Sequence, residues 1–154
     1  MRLNGALVTI ENWKEVKSGV LQPIAWESTI YGEGIGAGYA LKVPDGVTLV
    51  KIFFQVKWEW DNDPGKSTGF RIAQVRKNGT DDLQLPESRI AAAPKTYTTQ
   101  NGSTPAIPVE AGDLFELWVG QDSGFDDIKI FPHQTWFAME IVDAIIPPPA
   151  PLVP

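Results

Sequence analysis

Apolar and polar residues alternate most clearly between residues 47 and 60. Every second residue from 50 to 60 is apolar: Val50, Ile52, Phe54, Val56, Trp58 and Trp60. Most of the residues between them are lysine, glutamine or glutamate. A period of two residues is that of a β-strand, in which successive side chains point to opposite faces. The pattern therefore predicts a half-buried strand whose apolar face lies in the core.

Six other segments have strand-like patterns, and turn sequences separate many of them. Strands are predicted at residues 7–13, 20–29, 38–43, 69–77, 114–121 and 135–142. Turns are predicted at PDG (44–46), DNDPG (61–65), KNGT (77–80), QNGS (100–103) and EAGD (110–113). Long segments with a helical period are absent. The sequence thus predicts an all-β chain of about eight strands, either a sandwich or a jelly roll.

Two of these segments, 114–119 and 135–142, are largely apolar on both faces. In the second, one face carries Phe137, Met139 and Ile141, and the other carries Trp136, Ala138 and Val142. A strand that is apolar on both faces is covered on both sides. A neighbouring subunit or a long crossing loop would supply the second cover, and the pattern favours a subunit.

Composition limits the classes of function. The 154 residues are 43% hydrophobic with six Trp, which suits one domain with a core, and the lack of Cys excludes disulfides and thiolate chemistry. A net charge of −6 argues against nucleic acid as a partner. The N-terminal residues do not resemble a signal peptide, so we expect synthesis in a cytoplasm without membrane insertion.

The stretch QDSG at 121–124 places Asp122 beside Ser123, but the only histidine is His133. A hydrolytic triad needs a base that contacts the serine. His133 follows a proline in a predicted loop, so the pattern favours a turn in which Asp122 or Ser123 bonds the backbone. The acidic loops lack the spacing of a calcium-binding loop, and neither a metal nor a cofactor is expected.

Trp58 and Trp60 lie two residues apart, a spacing on which sugar rings could stack. Their phase with the apolar face favours burial instead. Trp60, at the strand end, is the better candidate for a glycan contact.

Several stretches together resemble the tumour-necrosis-factor (TNF) and complement globular-head jelly-roll superfamily, in the form found in bacteriophage virion proteins. The resemblance covers residues 20–143 and depends on the order and spacing of five segments. These are IAWESTIYGEG (24–34), LKVPDGVTLVKI (41–52), TGFRIAQVRKNGT (68–80), PVEAGDLFELWVGQDSG (108–124) and TWFAMEIV (135–142).

The resemblance implies an antiparallel, TNF-like jelly-roll sandwich that forms a trimer through one sheet, with the final strand near the three-fold axis. It implies a structural or binding role rather than catalysis. The expected trimer interface is Trp136, Phe137, Met139 and Ile141. Because a secretory signal and a collagen-like stalk are both missing, a role as a receptor ligand or in complement is not implied.

These observations predict a virion surface protein, a trimeric decoration protein that stabilises a bacteriophage head by contacting the major capsid protein or another virion protein. The alternative is a receptor-binding or tail-fibre tip that binds a host surface glycan. Residues 1–19 are expected to form an arm or a first strand, 20–143 the jelly roll, and 144–154 a proline-rich tail. Predicted docking residues are Leu7, Ile10, Trp13, Ile145, Ile146, Leu152 and Val153.

Overall fold

The computed structural model describes residues 5–32, 34–60, 63, 65–80, 85–94 and 96–145. Within these ranges the chain contains no helix, and hence none that could cross a lipid bilayer. The described strands are β1 (Ala6–Thr9), β2 (Lys14–Val16), β3 (Gln22–Pro23), β4 (Ser28–Tyr31), β5 (Gly36–Ala37), β6 (Ala40–Lys42), β7 (Val47–Trp58), β8 (Phe70–Lys77), β9 (Glu87–Ala91), β10 (Thr98–Ser103), β11 (Ile107–Pro108), β12 (Leu114–Gln121), β13 (Ile128–Ile130) and β14 (Trp136–Ala144).

These strands form two antiparallel sheets. In the large sheet, β10 and β11 pair with one side of β7, while β13 and β14 pair with its other side. Strand β14 is flanked in turn by β1, and β4 lies beyond β1. The small sheet has the order β5-β6-β12-β8-β9, with β3 also paired to β12. The predicted all-β sandwich is confirmed.

The core lies between the two sheets. The predicted alternation of β7 is confirmed, because Val50, Ile52, Phe54, Val56 and Trp58 are all buried. Trp60 lies beyond the end of this strand and is 40% exposed, so it does not continue the core face.

The segment predicted as one strand at 20–29 is instead divided between the two sheets. Strand β3 pairs with β12 in the small sheet, and β4 pairs with β1 in the large one. The prediction was wrong because the chain crosses between sheets here, which its apolar pattern does not reveal. The backbone stays hydrogen-bonded where it crosses, because the Ile24 N–H donates to the Leu117 carbonyl and the Trp26 N–H donates to the Gly38 carbonyl.

A single strand was predicted at 7–13. The structure has β1 there, which ends at Thr9, and a second strand, β2, which begins at Lys14. Strand β1 is paired on both sides, with β14 and with β4. Ile10 is fully buried in the core, which contradicts its predicted role in docking. Residues 1–19 were expected to form either an extended arm or a first strand, and residues 6–9 do form a strand.

The predicted turn at QNGS (100–103) is wrong, because these residues belong to β10. Gly102 pairs with Phe54, and a side-chain carbon at Gly102 would lie only 2.3 Å from the Phe54 ring. The glycine is therefore required by close packing rather than by a turn. The KNGT turn is confirmed, with Asn78 and Gly79 both at positive φ.

The four residues of β14 that were predicted to form the trimer interface do not lie on one face of the strand. Phe137 and Met139 are buried in the core, and Ile141 packs against it, so these three side chains belong to the chain's own interior. The predicted trimer interface is wrong at Phe137 and Met139, because the facing sheet already covers them, while Ile141 is only partly buried and its predicted role stays a prediction. Of the four predicted residues, only Trp136 lies on the outer face.

Candidate interaction surface

The outer face of the large sheet carries a groove beside Trp136. Trp136 lies opposite Gln55 on β7, and Phe53, two residues from Gln55, shares the same face. Both aromatic side chains are half-buried. The groove has a volume of about 340 Å³ and is lined by Phe53, Phe54, Asn101, Gly102, Ser103 and Trp136. We call it the tryptophan groove.

A second set of aromatic side chains lies at the Trp58 end of the same sheet. Phe131 is at its centre: its ring centroid is 4.3 Å from that of Trp13 and 5.1 Å from that of Tyr97. Trp13 and Tyr97 are 45% and 44% exposed. The Lys57 ammonium lies 4.6 Å from the Tyr97 ring centre and 4.8 Å from that of Phe131. These four residues are the aromatic cluster.

The position of Trp13 depends on the Glu27 carboxylate. Glu27 accepts hydrogen bonds from the backbone N–H groups of Glu11 and Asn12 and from the Asn12 side chain, and it forms an ion pair with Lys14 at 3.2 Å. The Asn12 side chain is the largest cause of a fall in the pKa of Glu27 from an ordinary 4.5 to about 2. The ionised carboxylate therefore holds the loop that presents Trp13.

We expect Glu27→Gln to lower the melting temperature at neutral pH by about 2–4 °C, the shift that about 1 kcal/mol produces in a domain of this size. The folded pKa is depressed, so the stabilisation is present above pH 4.5 and is lost as the pH falls towards 2. The difference between wild type and variant should shrink over that window in thermal melts. A constant difference from pH 7 to pH 2 would contradict the assignment.

Neither a family model nor a curated protein matches the sequence. Solved structures do match the backbone. Murine APRIL at pH 8.0 has a TM-score of 0.63 and 15% identity, over 90% of this chain and 98% of that chain. Eiger TNF from S. frugiperda has a TM-score of 0.59 and 11% identity, over 97% of this chain and 98% of that chain. The chain has the TNF-like jelly-roll fold. At these identities, the likeness concerns the fold alone.

The fold predicted from the sequence resemblance is thus confirmed, while the bacteriophage origin stays a prediction. Within the TNF-like jelly roll, the sequence analysis missed Phe53, Tyr97, Phe131 and Lys57. The sequence could have revealed Phe53, because it is an aromatic residue on the otherwise polar face of β7. Tyr97 and Phe131 lie outside every predicted strand, and only the folded chain brings them together.

The predicted docking residues do not share one surface. Trp13 belongs to the aromatic cluster, Leu7 is half-buried in β1, and Ile145 is 70% exposed at the end of the described chain. Ile146, Leu152 and Val153 lie outside the described residues. Trp60 is exposed, as a glycan contact would need to be, but among the described residues its ring does not stack on those of the aromatic cluster.

The QDSG stretch forms hydrogen bonds typical of a turn. The Ser123 hydroxyl donates to the Gln121 side chain at 2.6 Å and accepts from the Phe125 N–H, while an Asp122 carboxylate oxygen accepts from the Phe70 N–H. His133 donates its backbone N–H to Ile10. Among the described residues, no contact joins His133 to Ser123, and no group of three potential metal ligands occurs.

Proposed function

We propose that the protein is a structural protein of a bacteriophage virion: a trimeric decoration protein that stabilises the head by bridging capsid subunits, without catalysing a reaction. The sequence resemblance to phage virion jelly rolls supports the location, and the TNF-like fold is the one that this resemblance implies. The observation that supports the proposed trimer is the tryptophan groove.

The tryptophan groove has the composition of a protein interface. Its centre is aromatic, with Phe53 and Trp136, while Asn101 and Ser103 supply a polar edge on β10. Interface centres are enriched in aromatic residues, and their rims are polar. In the proposed trimer, a neighbouring copy fills this groove. Trp136 thereby keeps the interface role predicted from the sequence, whereas Phe137 and Met139 act from inside the core.

The ends of the described chain suggest how a trimer would be attached. Strand β1 runs from the level of Met139 to that of Trp136, and β14 runs the opposite way to Ala144. The described chain therefore leaves β14 at the end of the large sheet opposite to the aromatic cluster, whereas β1 begins near the middle of the sheet. Three copies of a tail beginning at residue 145 would give multivalent attachment, in which weak single contacts become effective.

Attachment is tested with virions purified from the source culture. We expect mass spectrometry to detect the protein in these particles and electron microscopy to locate it on the head surface. Purified full-length protein should rebind particles lacking it, and deletion of residues 146–154 should weaken rebinding by at least about tenfold while leaving the melting temperature unchanged. Absence of the protein from purified virions would contradict the proposal, and equal rebinding of the truncated form would contradict attachment through the tail.

A receptor-binding or tail-fibre tip is the second candidate. The exposed aromatic cluster favours it, because Trp13 and Tyr97 are large rings left open at the end of the sheet farthest from the end of β14. Localisation on the tail rather than on the head would select this candidate.

A further inference from the structure

The aromatic cluster has two exposed rings held on either side of a third. Trp13 and Tyr97 both contact Phe131, so the distance between their centres is at most the two ring contacts together. A single oligosaccharide can therefore reach both rings at once. Exposed, rigid aromatic faces with a polar margin suit ligands that have both an apolar face and hydroxyl groups.

Hydrogen-bond donors lie at the margin of these rings. The Lys57 ammonium donates to the Gln134 side-chain oxygen at 2.6 Å, and an ammonium has two further protons to donate. The Gln134 side-chain nitrogen has no hydrogen-bond partner within the described ranges, and His133 beside it is exposed. Donors of this kind suit the hydroxyl, ring and carboxylate oxygens of sugars.

The loops that carry Trp13 and Phe131 are also held in place before any ligand binds. Glu27 fixes the loop that carries Trp13, and the Phe131 N–H donates to the Lys57 carbonyl at 2.7 Å. His133, with φ of 63°, donates its N–H to the Ile10 carbonyl and so joins the two loops. A preformed site loses little conformational entropy on binding. A non-glycine residue at positive φ, held in this way, is a common feature of functional sites.

We propose that the aromatic cluster is a carbohydrate-binding site, at which pyranose rings of a polysaccharide stack on Trp13 and Tyr97 while Lys57 and Gln134 donate hydrogen bonds to sugar oxygens. A second copy of the chain is the competing occupant. A central lysine argues against it, because lysine is depleted in protein interfaces. The proposal does not depend on the decoration role, and it would supply the ligand site of the second candidate, a receptor-binding tip.

The test uses the full-length protein on a printed array of purified polysaccharides that includes bacterial O-antigens and capsular glycans, followed by titration of the best-retained one. We expect wild type to bind, and Trp13→Ala and Tyr97→Ala each to weaken binding by about tenfold or more. Tyr97→Leu keeps apolar bulk without a planar ring and should also lose binding. Tyr39→Ala removes an exposed ring outside the cluster and should bind as wild type does. Trp60→Ala tests the competing glycan contact predicted from the sequence.

Light scattering on the same variants separates glycan binding from self-association. The cluster variants should keep the wild-type mass and a circular dichroism spectrum of folded protein. Four outcomes would overturn the proposal: no retention on the whole array, full binding by Tyr97→Leu, loss of binding in Trp60→Ala alone, or a change of oligomer mass in Trp13→Ala and Tyr97→Ala. The last would assign the cluster to an interface between copies of this chain.

Discussion

Met139→Asp should leave the chain largely unfolded. Met139 is buried at the centre of the large sheet, paired with Ile52 on one side and Ala6 on the other. Loss of a buried methionine side chain costs about 2–5 kcal/mol, and burial of an unpaired carboxylate costs several more. The total is comparable to the whole stability of a domain, about 5–15 kcal/mol. Circular dichroism and thermal melting would measure the effect.

Ile30→Asp introduces the same charge at a matched control position. Ile30 is 59% exposed on β4, the outer strand of the large sheet, so its replacement should change stability by less than about 1 kcal/mol. A cooperative wild-type melt for Met139→Asp would mean that Met139 does not face the core.

Trp136→Arg should convert the proposed trimer into folded monomers. The wild type is expected to have a mass of three times 16.9 kDa in size exclusion with light scattering. Trp136 lines the tryptophan groove on the outer face and not the core, so its replacement should leave the fold intact. Loss of a central tryptophan at an interface costs about 2 kcal/mol or more per contact, and an unpaired arginine there adds repulsion between copies.

Trp60→Arg is the matched control, because Trp60 is also exposed but does not line the groove. It should retain the wild-type mass. A monomeric wild type at micromolar concentration would contradict the trimer. A trimer that survives Trp136→Arg would place the interface elsewhere on the molecule.

The sequence predicted the fold where its patterns were strong. The alternation in β7 located five core residues correctly, and the order of turns and apolar runs indicated a sandwich or jelly roll, for which the sequence resemblance implied the TNF-like form. The prediction of buried faces failed where burial depends on the position of the facing sheet. Met139 and Trp136 lie on opposite faces of a strand whose two faces look alike in sequence, so only the position of the small sheet shows which one is core.

The candidate sites were less predictable, for a related reason. The aromatic cluster draws Trp13, Lys57, Tyr97 and Phe131 from four separate segments, and no local pattern connects them. Strand β10 was missed because TTQNGS is polar and contains a sequence typical of turns. Its edge position and the packing of Gly102 under Phe54 require that composition instead.

The place of β14 in the large sheet has a consequence for biosynthesis. The last described strand to emerge from the ribosome lies between β7 and β1, and about half of the chain separates it from β7 and most of the chain from β1. Until it is made, the two halves of the large sheet have no common neighbour, and the edges of β7 and β1 that β14 pairs with stay open. Completion of the large sheet must therefore wait until β14 has left the ribosome. The nascent chain is exposed to aggregation during that interval, which makes it a natural client for chaperones.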